Sequence, residues 1–460
     1  MSFVFFDTET TGLSKAFDQI VHFAAIRTDS NLNEIERFEM RSRLLGHVIP
    51  HPSALRINEI GISQLLDPSL PSYYSMVCAI RAKLLAWSPS IFAGYNSIRF
   101  DEELLRQALY QTLHPPYLTS FHNNGRADVL GLVMSAVANS ADALVVPVGE
   151  NGRRSFKLPG LARANNLPHR KAHAAMSDVE ATVALCRLVS VRAPQAWQRF
   201  VRFSRKATVI DFIQGEDAFV LTEFYLNEAY HTPVVCVGAD PADTNARLCL
   251  TLNARTRTLL DASDDVVLAA LDEKPCPLRR VRVNAAPSLT PLYEVDELEF
   301  DLDENEMEAI AREVKADPVA CKRLIGLYQS RATPWPASPH VEQRIYERFS
   351  SRDDEILMQH FHEAGWDERS GLVMRLQDDR MKLLGMRLLY GEAPQVLTEH
   401  QRQAVRSDFA QRTLTTAGGP LGIGEAIAEI DALIERLGPA DVSRLMEYRR
   451  YLTQRLSAQE

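Results

Sequence analysis

The chain has 460 residues, 46% of them hydrophobic, which is enough to bury a core in about two to four domains. Its formal net charge of −9 at pH 7 argues against a protein that coats nucleic acid indiscriminately, but allows a local basic groove. The six cysteines are scattered without C-x-x-C spacing, which indicates neither a zinc site nor a disulfide framework. With no leader-like start and no long apolar run, we expect a soluble cytoplasmic protein that does not bind membranes.

The first region, up to about residue 192, mixes apolar strands with amphipathic helices, a pattern that is typical of an α/β fold. The predicted strands are 3–6, 20–28, 35–44 and 91–94, and the predicted helices are 101–113 and 179–191.

The second region, from about residue 205 to 290, has short β-rich runs separated by Gly, Pro, Asp and Asn, which predicts a small barrel or sandwich. The predicted strands are 208–213, 218–226, 233–237 and 247–252. Residues 294–308 follow with nine carboxylates and no Lys or Arg, and we expect them to form a solvated face away from nucleic acid.

The third region begins after 333–339, a segment whose three prolines predict a linker. Beyond it the spacing of apolar residues is helical to the end of the chain. The predicted helices are 355–362, 372–389, 399–413 and 424–437.

Two carboxylates, Asp7 and Glu9, follow directly on the apolar strand 3–6. Alternate side chains of a strand share a face, so both should point the same way. Two like charges this close repel each other, and a positive partner usually lies between them. Taken alone, such a pair is better explained as the solvated end of a strand with acidic residues.

Two more acidic sites lie further along the chain. Asp101 stands at a predicted helix start, where the helix dipole favours an acid. Asp178 follows Ser177, which with Glu180 predicts a capping box and places His173 in the preceding loop. Each site by itself is more readily structural than catalytic.

Together, D-x-E at a strand end, N-x-x-x-F-D at a helix start and H-x-x-x-x-D at a later helix form an ordered set. This set resembles the DEDDh branch of the DnaQ-like 3′–5′ exonucleases. The residues that carry the resemblance are the quartet Asp7, Glu9, Asp101 and Asp178, with His173 as the histidine.

Segments 94–101, 23–29 and 155–158 narrow the resemblance to the bacterial exonuclease I family. It implies an α/β, RNase H-like exonuclease domain at 1–192, an SH3-like domain at 193–338 and an all-α domain at 339–460 that helps to enclose the strand. Thr8 and Thr11 differ from the aromatic residues of some members, which leaves nucleotide stacking there open.

The resemblance implies hydrolysis of single-stranded DNA from the 3′ end to 5′-mononucleotides, in DNA repair or recombination. Two Mg²⁺ ions, replaceable by Mn²⁺, would be held by the four carboxylates, because hard cations favour oxygen ligands. Asp7 would bridge both ions, Glu9 and Asp178 would complete the first site, and Asp101 would support the second. His173 would be the general base.

Two other functions stay open, namely a relative that acts on RNA or in proofreading, and a catalytically inactive nucleic-acid-binding module. The candidate substrate contacts are Glu9, Thr10, Thr11, Gly12, Asn96, Arg99 and Phe100. Several of these could equally shape a loop. Segment 197–206 interleaves aromatic and basic residues, and we expect its aromatics in the core and its cations towards DNA.

A protein partner is also implied, since bacterial exonuclease I docks the acidic, Phe-ended tail of single-strand-binding protein. Such a tail needs a basic rim beside an apolar pocket. The candidate cations lie between the first two domains and are Arg153, Arg154, Arg202, Arg205, Lys206, Arg279, Arg280 and Arg282. We expect the protein to act as a monomer.

Overall fold

The computed structural model describes residues 1–150, 152–169, 174–295, 299–331, 337–414 and 418–457. In these residues an α/β region is followed by a β-rich region and a helical region, as predicted. The predicted linker falls largely outside the described residues. Among the described helices, none is both long and apolar enough to cross a membrane.

The first sheet is built from β1 (Phe3–Thr10), β2 (Ile20–Thr28), β3 (Glu34–Arg41), β4 (Ile91–Gly94) and β5 (Gly125–Asp128). Its strand order is β3-β2-β1-β4-β5. β1 is antiparallel to β2 and parallel to β4, and β4 is parallel to β5. The carboxyl ends of β1, β4 and β5 therefore lie at one edge, which is where α/β sheets bind ligands.

The β1 side chains are buried on both faces of this sheet. Phe3 and Phe5 belong to one buried cluster, whereas Val4 and Phe6 belong to another. Helices cover both faces, which explains why the sequence shows a continuous apolar run instead of alternation. The helices of this region are α1 (Pro52–Ile57), α2 (Ile62–Leu65), α3 (Tyr73–Ala86), α4 (Asp101–Gln111), α5 (Val129–Asn139), α6 (Leu158–Ala164), α7 (Ala175–Arg192), α8 (Pro194–Arg202) and α9 (Lys206–Gly215).

The second sheet is antiparallel, with strand order β10-β6-β7-β8-β9. Its strands are β6 (Phe219–Tyr225), β7 (Glu228–Asp240), β8 (Asp243–Thr251), β9 (Leu278–Arg282) and β10 (Ser288–Pro291). The helices around it are α10 (Thr256–Asp261), α11 (Asp264–Asp272), α12 (Glu304–Ala316) and α13 (Pro318–Ser330).

One strand predicted for the second region of the sequence is wrong, because 208–213 lies in helix α9. Val209, Phe212 and Ile213 are all buried. Their spacing of three and four residues matches one face of a helix. The high content of β-branched and aromatic residues therefore misled a prediction made from a short run.

The C-terminal helices are α14 (Arg352–Glu363), α15 (Trp366–Arg375), α16 (Asp379–Glu392), α17 (Glu399–Leu414), α18 (Ile423–Ile434) and α19 (Pro439–Ser457). The single helix predicted over 372–389 is wrong, because the chain breaks between α15 and α16. There the Asp378 side chain accepts a hydrogen bond from the Arg380 amide and caps α16.

Both buried clusters of the C-terminal region include side chains from the first region. Tyr74, Tyr110 and Leu113 join one cluster, and Val21 and Ile49 join the other. The C-terminal helices are thus anchored on the α/β region by a shared apolar core. The domain boundaries after residues 192 and 338 stay predictions.

Candidate active site

Asp7 and Glu9 lie at the carboxyl end of β1, two residues apart and on one face, as predicted. Each has an oxygen within 4.8 Å of the other and of an oxygen of Asp178. Glu9 is buried, and Asp7 is half-buried. The strand geometry and the start of α7 therefore bring three carboxylates together.

Asp101 is the first residue of α4, in the helix-start position that the sequence predicted. The Thr8 amide and hydroxyl both donate to Asp101 Oδ1, at 3.1 and 2.6 Å. Thr8 sits between Asp7 and Glu9 in β1 but points to the other side. Thr8, in the middle of the D-x-E motif, therefore holds Asp101 next to the carboxylate cluster.

Asp178 lies in the first turn of α7, but the predicted capping box is wrong. The helix begins at Ala175, and Ala174 precedes it without a side-chain cap. Ala175 and Val179 are both buried in the core beside β1. The helix starts early because winding from residue 175 buries these two side chains on one face.

The histidine that the structure brings to the carboxylates is His169. Its Nε2 atom hydrogen-bonds Asp178 Oδ1 at 2.5 Å, and its side chain is 8% exposed. His173, the predicted general base, lies outside the described residues. Sequence reasoning missed His169, which stands nine residues before Asp178 in the sequence.

Three acids of the site, Asp7, Glu9 and Asp101, have raised pKa values. Burial, followed by the charges of Asp101, Asp178 and Glu9, raises the pKa of Asp7 well above its ordinary value. Burial and the Asp178 and Asp101 charges raise the pKa of Glu9 to about 7, against a small lowering by Arg41. Burial raises the pKa of Asp101 to about 7.

Such a cluster needs positive charge to be ionised at neutral pH. Its donors are all carboxylate oxygens, the ligands that hard divalent cations prefer. Asp7, Glu9 and Asp178, with Asp101 beside them, therefore fit a divalent metal site.

The loop after β1 uses its own polar groups. Thr10 Oγ1 donates to the Gly12 carbonyl at 2.6 Å, and Thr11 Oγ1 donates to Asp18 Oδ1 at 2.7 Å. A Cβ atom at Gly12 would lie 2.5 Å from Asp18 Oδ2. The two hydroxyls and the glycine thus shape the loop.

The loop between β4 and α4 is held by Asp128, a residue that sequence reasoning missed. Asp128 accepts hydrogen bonds from the Asn96 amide at 2.9 Å and the Ile98 amide at 3.2 Å. Asn96 has a φ of 60°, which Asn tolerates better than most residues. The side chains of Asn96 and Arg99 are exposed, whereas Phe100 packs partly on the core.

Immediately after Asp101, Glu102 forms a compensated ion cluster. Its Oε1 atom accepts from Arg106 Nη2 at 3.0 Å and Thr119 Oγ1 at 2.5 Å, and lies 2.6 Å from Arg126 Nε. Arg126 also donates to the Asn284 carbonyl at 2.7 Å. This cluster therefore connects α4 to the β-rich region.

The basic and aromatic segment 197–206 packs as predicted for its aromatics. Trp197 lies 5.3 Å from Phe3 and from Phe200, measured between ring centroids. Two of its cations make protein contacts, since Arg202 stacks on Phe203 and Lys206 Nζ donates to Asn245 Oδ1 at 2.8 Å.

Three of the other candidate cations have different surroundings. Arg279 pairs with Glu223 at 3.2 Å, and Arg280 pairs with Asp240 at 2.9 Å. Arg154, in contrast, lines a cleft of about 580 Å³ between α5 and the β6–β7 hairpin. Met134, Phe156, Phe224 and His231 also line this cleft.

Two family profiles match the chain. One, described as Exonuclease, covers residues 4–186, and the other, described as Exonuclease I C-terminal domain, covers residues 339–455. The first range contains all four carboxylates of the predicted quartet.

Known proteins agree with these matches. Exodeoxyribonuclease I of Escherichia coli is 27% identical over 436 residues, covering 89% of this chain and 91% of that protein. The zinc-bound form of the E. coli exonuclease I complex with single-stranded DNA has a TM-score of 0.82 at 23% identity, covering 98% of this chain and 99% of that one. A structure of SSB/exonuclease I with the inhibitor CFAM has the same score, identity and coverage. The fold is therefore that of exonuclease I.

Proposed function

We propose that this chain, which belongs to the exonuclease I family, is a 3′–5′ exonuclease that shortens single-stranded DNA and releases 5′-mononucleotides. The carboxylate cluster carries this proposal. Oxygens of Asp7, Glu9 and Asp178 lie within 4.8 Å of one another, and Asp101 is hydrogen-bonded to the intervening Thr8. We place the activity in DNA repair or recombination, in the cytoplasm.

For the cofactor we propose two Mg²⁺ ions, for which Mn²⁺ can substitute. Asp7, Glu9 and Asp178 would hold the first, and Asp7 and Asp101 the second. Bound divalent ions make water more acidic and stabilise negative charge on phosphate and on the leaving oxygen. The raised pKa values of Asp7, Glu9 and Asp101 support this assignment, because a cation would remove the repulsion that causes part of them.

For the proton transfer we propose His173 as the general base that accepts the proton of the attacking water. His169 has a different role, since its Nε2–H hydrogen bond to Asp178 holds that carboxylate in place. Comparing His173→Ala with His169→Ala separates the two roles. The first should lower kcat by roughly a hundredfold or more and change the pH–rate profile. His169→Ala should weaken metal affinity and change the pH–rate profile little. If His169→Ala changed the pH–rate profile and His173→Ala weakened only metal affinity, the two roles would be exchanged.

For the substrate we propose that the 3′-terminal nucleotide lies along the backbone of Thr10, Thr11 and Gly12. Glu9 would face its terminal hydroxyl. The Thr10 and Thr11 hydroxyls are used inside the loop, and the Thr11 amide and carbonyl bond the Gln19 carbonyl and the His51 amide. Gly12 has no side chain, so it is the residue of this loop at which a nucleotide can come close to the backbone. Asn96 and Arg99 offer exposed polar side chains, and Phe100 supports them from the core side.

Digestion of end-labelled strands tests the function. Single-stranded DNA should be shortened from its 3′ end with Mg²⁺ present and stay intact with a chelator. A blunt duplex or a 3′-phosphate should resist. Faster digestion of RNA would favour the alternative RNA-directed function, and binding without hydrolysis in Mg²⁺ and Mn²⁺ would favour the inactive binding module.

We also propose that the acidic, Phe-ended tail of single-strand-binding protein docks in the cleft between α5 and the β6–β7 hairpin. Met134, Phe156 and Phe224 are the apolar contacts that the cleft offers to the terminal Phe. Arg154 supplies positive charge in a lining that is otherwise largely polar and includes Glu228. The solved structure of SSB/exonuclease I supports the choice of partner.

Fluorescence anisotropy of a labelled tail peptide tests this docking. Binding should require the terminal Phe and weaken with salt, because charge attraction is screened. Arg154→Ala should weaken it by about tenfold, as loss of a charge-assisted contact does. Arg282→Ala on β9, at the far edge of the sheet, is the matched control. Equal loss in both variants would remove the cleft as the docking site.

A further inference from the structure

Two free cysteines face each other in the second sheet. Cys236 of β7 and Cys249 of β8 are direct partners in the antiparallel ladder. Opposite residues in such a ladder have Cα atoms about 4.5–5.5 Å apart. A disulfide requires about 4.4–6.8 Å, so the backbone already has a suitable spacing.

The two thiols are in contact but differ in exposure. Cys249 is fully buried, whereas Cys236 is half-buried. A hydrogen bond from the Cys249 thiol, helped by Arg247 and Lys315, lowers the pKa of Cys236 to about 7. The thiolate is the reactive form of cysteine. Cys236 is therefore the nucleophile of the pair, and Cys249 is the second thiol that can react with it after oxidation.

We propose that Cys236 and Cys249 form a reversible oxidation site, in which a hydroperoxide oxidises Cys236 and Cys249 then closes a cross-strand disulfide. The Cys236 thiolate attacks one peroxide oxygen, the O–O bond breaks, and sulfenic acid and hydroxide (or the alkoxide of an organic hydroperoxide) form. The Cys249 sulfur then attacks the Cys236 sulfur. The S–S bond forms, the S–O bond breaks, and water leaves with the Cys249 proton. The two thiols thereby supply two electrons to the peroxide.

This arrangement would protect the sheet. A sulfenic acid with no thiol beside it is oxidised further to sulfinic acid, which is not generally reversible. When Cys249 forms the disulfide, oxidation of Cys236 stops at that stage, and a dithiol can reduce the disulfide again. Cys321 is a possible competitor, but its thiol lies on α13 and hydrogen-bonds the Val314 carbonyl at 3.3 Å.

The test is peptide mapping of the full chain, reduced, desalted and then treated with graded hydrogen peroxide. Trypsin cuts after Arg247 and so separates Cys236, in peptide 207–247, from Cys249, in peptide 248–255. We expect the loss of two of the six thiols and a linked pair of these peptides, about 2 Da lighter than their sum. A dithiol should restore both peptides.

Variants assign the order of events. In Cys249→Ser, Cys236 should accumulate as sulfenic and then sulfinic acid. In Cys236→Ser, Cys249 should stay reduced, and the control Cys276→Ser should form the disulfide as the unchanged protein does. Sulfinic acid at Cys236 of the unchanged protein without the linked peptides would overturn the proposal, as would linkage of Cys236 to Cys321. The map of the unchanged protein decides this even if a variant fails to fold.

Discussion

Asp101 and Glu102 are neighbours on α4 and almost equally buried, at 4% and 3% exposure. Their electrostatic surroundings nevertheless differ, because only Glu102 has arginine partners. Glu102 has Arg106 and Arg126 within ion-pair distance. Asp101 instead has hydrogen bonds from Thr8 and lies close enough to Asp7 to raise the pKa of that acid. Burying a charge is costly unless it is paired. Glu102 is therefore compensated by arginines of the protein, and we expect the charge of Asp101 to be compensated by a bound cation.

The comparison predicts that substitution of Asp101 mainly affects activity, whereas substitution of Glu102 mainly affects stability. Replacing the uncompensated acid should remove function and spare the fold. Replacing the compensated one should damage the fold and spare the chemistry of the molecules that remain folded.

The largest effect should come from Asp101→Asn. The amide keeps the size and can still accept from Thr8, but it is a poor metal ligand. We expect activity in Mg²⁺ to fall by roughly a thousandfold or more, a barrier increase of about 4 kcal/mol. Thermal unfolding in chelator should be unchanged or shifted upward. A folded variant with near-normal activity would show that Asp101 is not part of the metal site.

The next effect should be on stability, in Glu102→Gln. The change leaves Arg126 and Arg106 buried with one negative partner fewer, and breaking such a buried ion pair costs about 3–5 kcal/mol. Denaturant unfolding would measure it. Glu103→Gln is the matched control, because Glu103 is 23% exposed in its pair with Arg106 and should cost far less. Equal losses in both variants would mean that burial does not distinguish the pairs.

Local sequence patterns predicted the positions of Asp7, Glu9 and Asp101, since D-x-E after an apolar run places two acids on one face of a strand end and an acid is favoured at a helix start. It could not separate Asp101 from Glu102 without the family motif, since Arg126 and Thr119 reach Glu102 only through the fold. The contacts of His169 and Asp128 were missed for the same reason. The helical assignment of 208–213 likewise depends on which face is buried, which short-range propensity does not reveal.

The third effect is a pH dependence at Glu9. Its pKa is raised to about 7 from an ordinary 4.5, so the folded metal-free protein binds this proton more tightly than the unfolded chain does. Unfolding is therefore easier above pH 7, by about 3 kcal/mol, and this penalty fades as the pH falls towards 4.5. Glu9→Gln removes the titrating group.

Metal-free Glu9→Gln should accordingly be more stable than the unchanged protein at pH 8 and similar to it near pH 4.5. Urea unfolding in chelator at both values would measure the difference. Adding Mg²⁺ at pH 8 should stabilise the unchanged protein more than the variant, because ligand binding to the folded state adds stability. A gain that is constant with pH would mean that folding does not raise the pKa of Glu9.

The smallest effect should come from Thr8, which links Asp101 to the strand that carries Asp7 and Glu9. Its hydroxyl donates to Asp101 at 2.6 Å while its backbone carries Asp7 and Glu9 on either side. Thr8→Val keeps the shape and the amide hydrogen bond but removes the hydroxyl. The hydrogen bond to a charged group is worth about 1.5–3 kcal/mol, and the retained amide should limit the loss of activity to roughly tenfold. Thr8→Ser restores the donor and should recover most of the rate.

Because the hydroxyl also lowers the pKa of Asp101, Thr8→Val should raise that pKa further and shift the pH–rate profile towards higher pH. Loss of rate in Thr8→Ser as large as in Thr8→Val would assign the effect to packing of the methyl group, and the position of Asp101 would then depend on α4 alone.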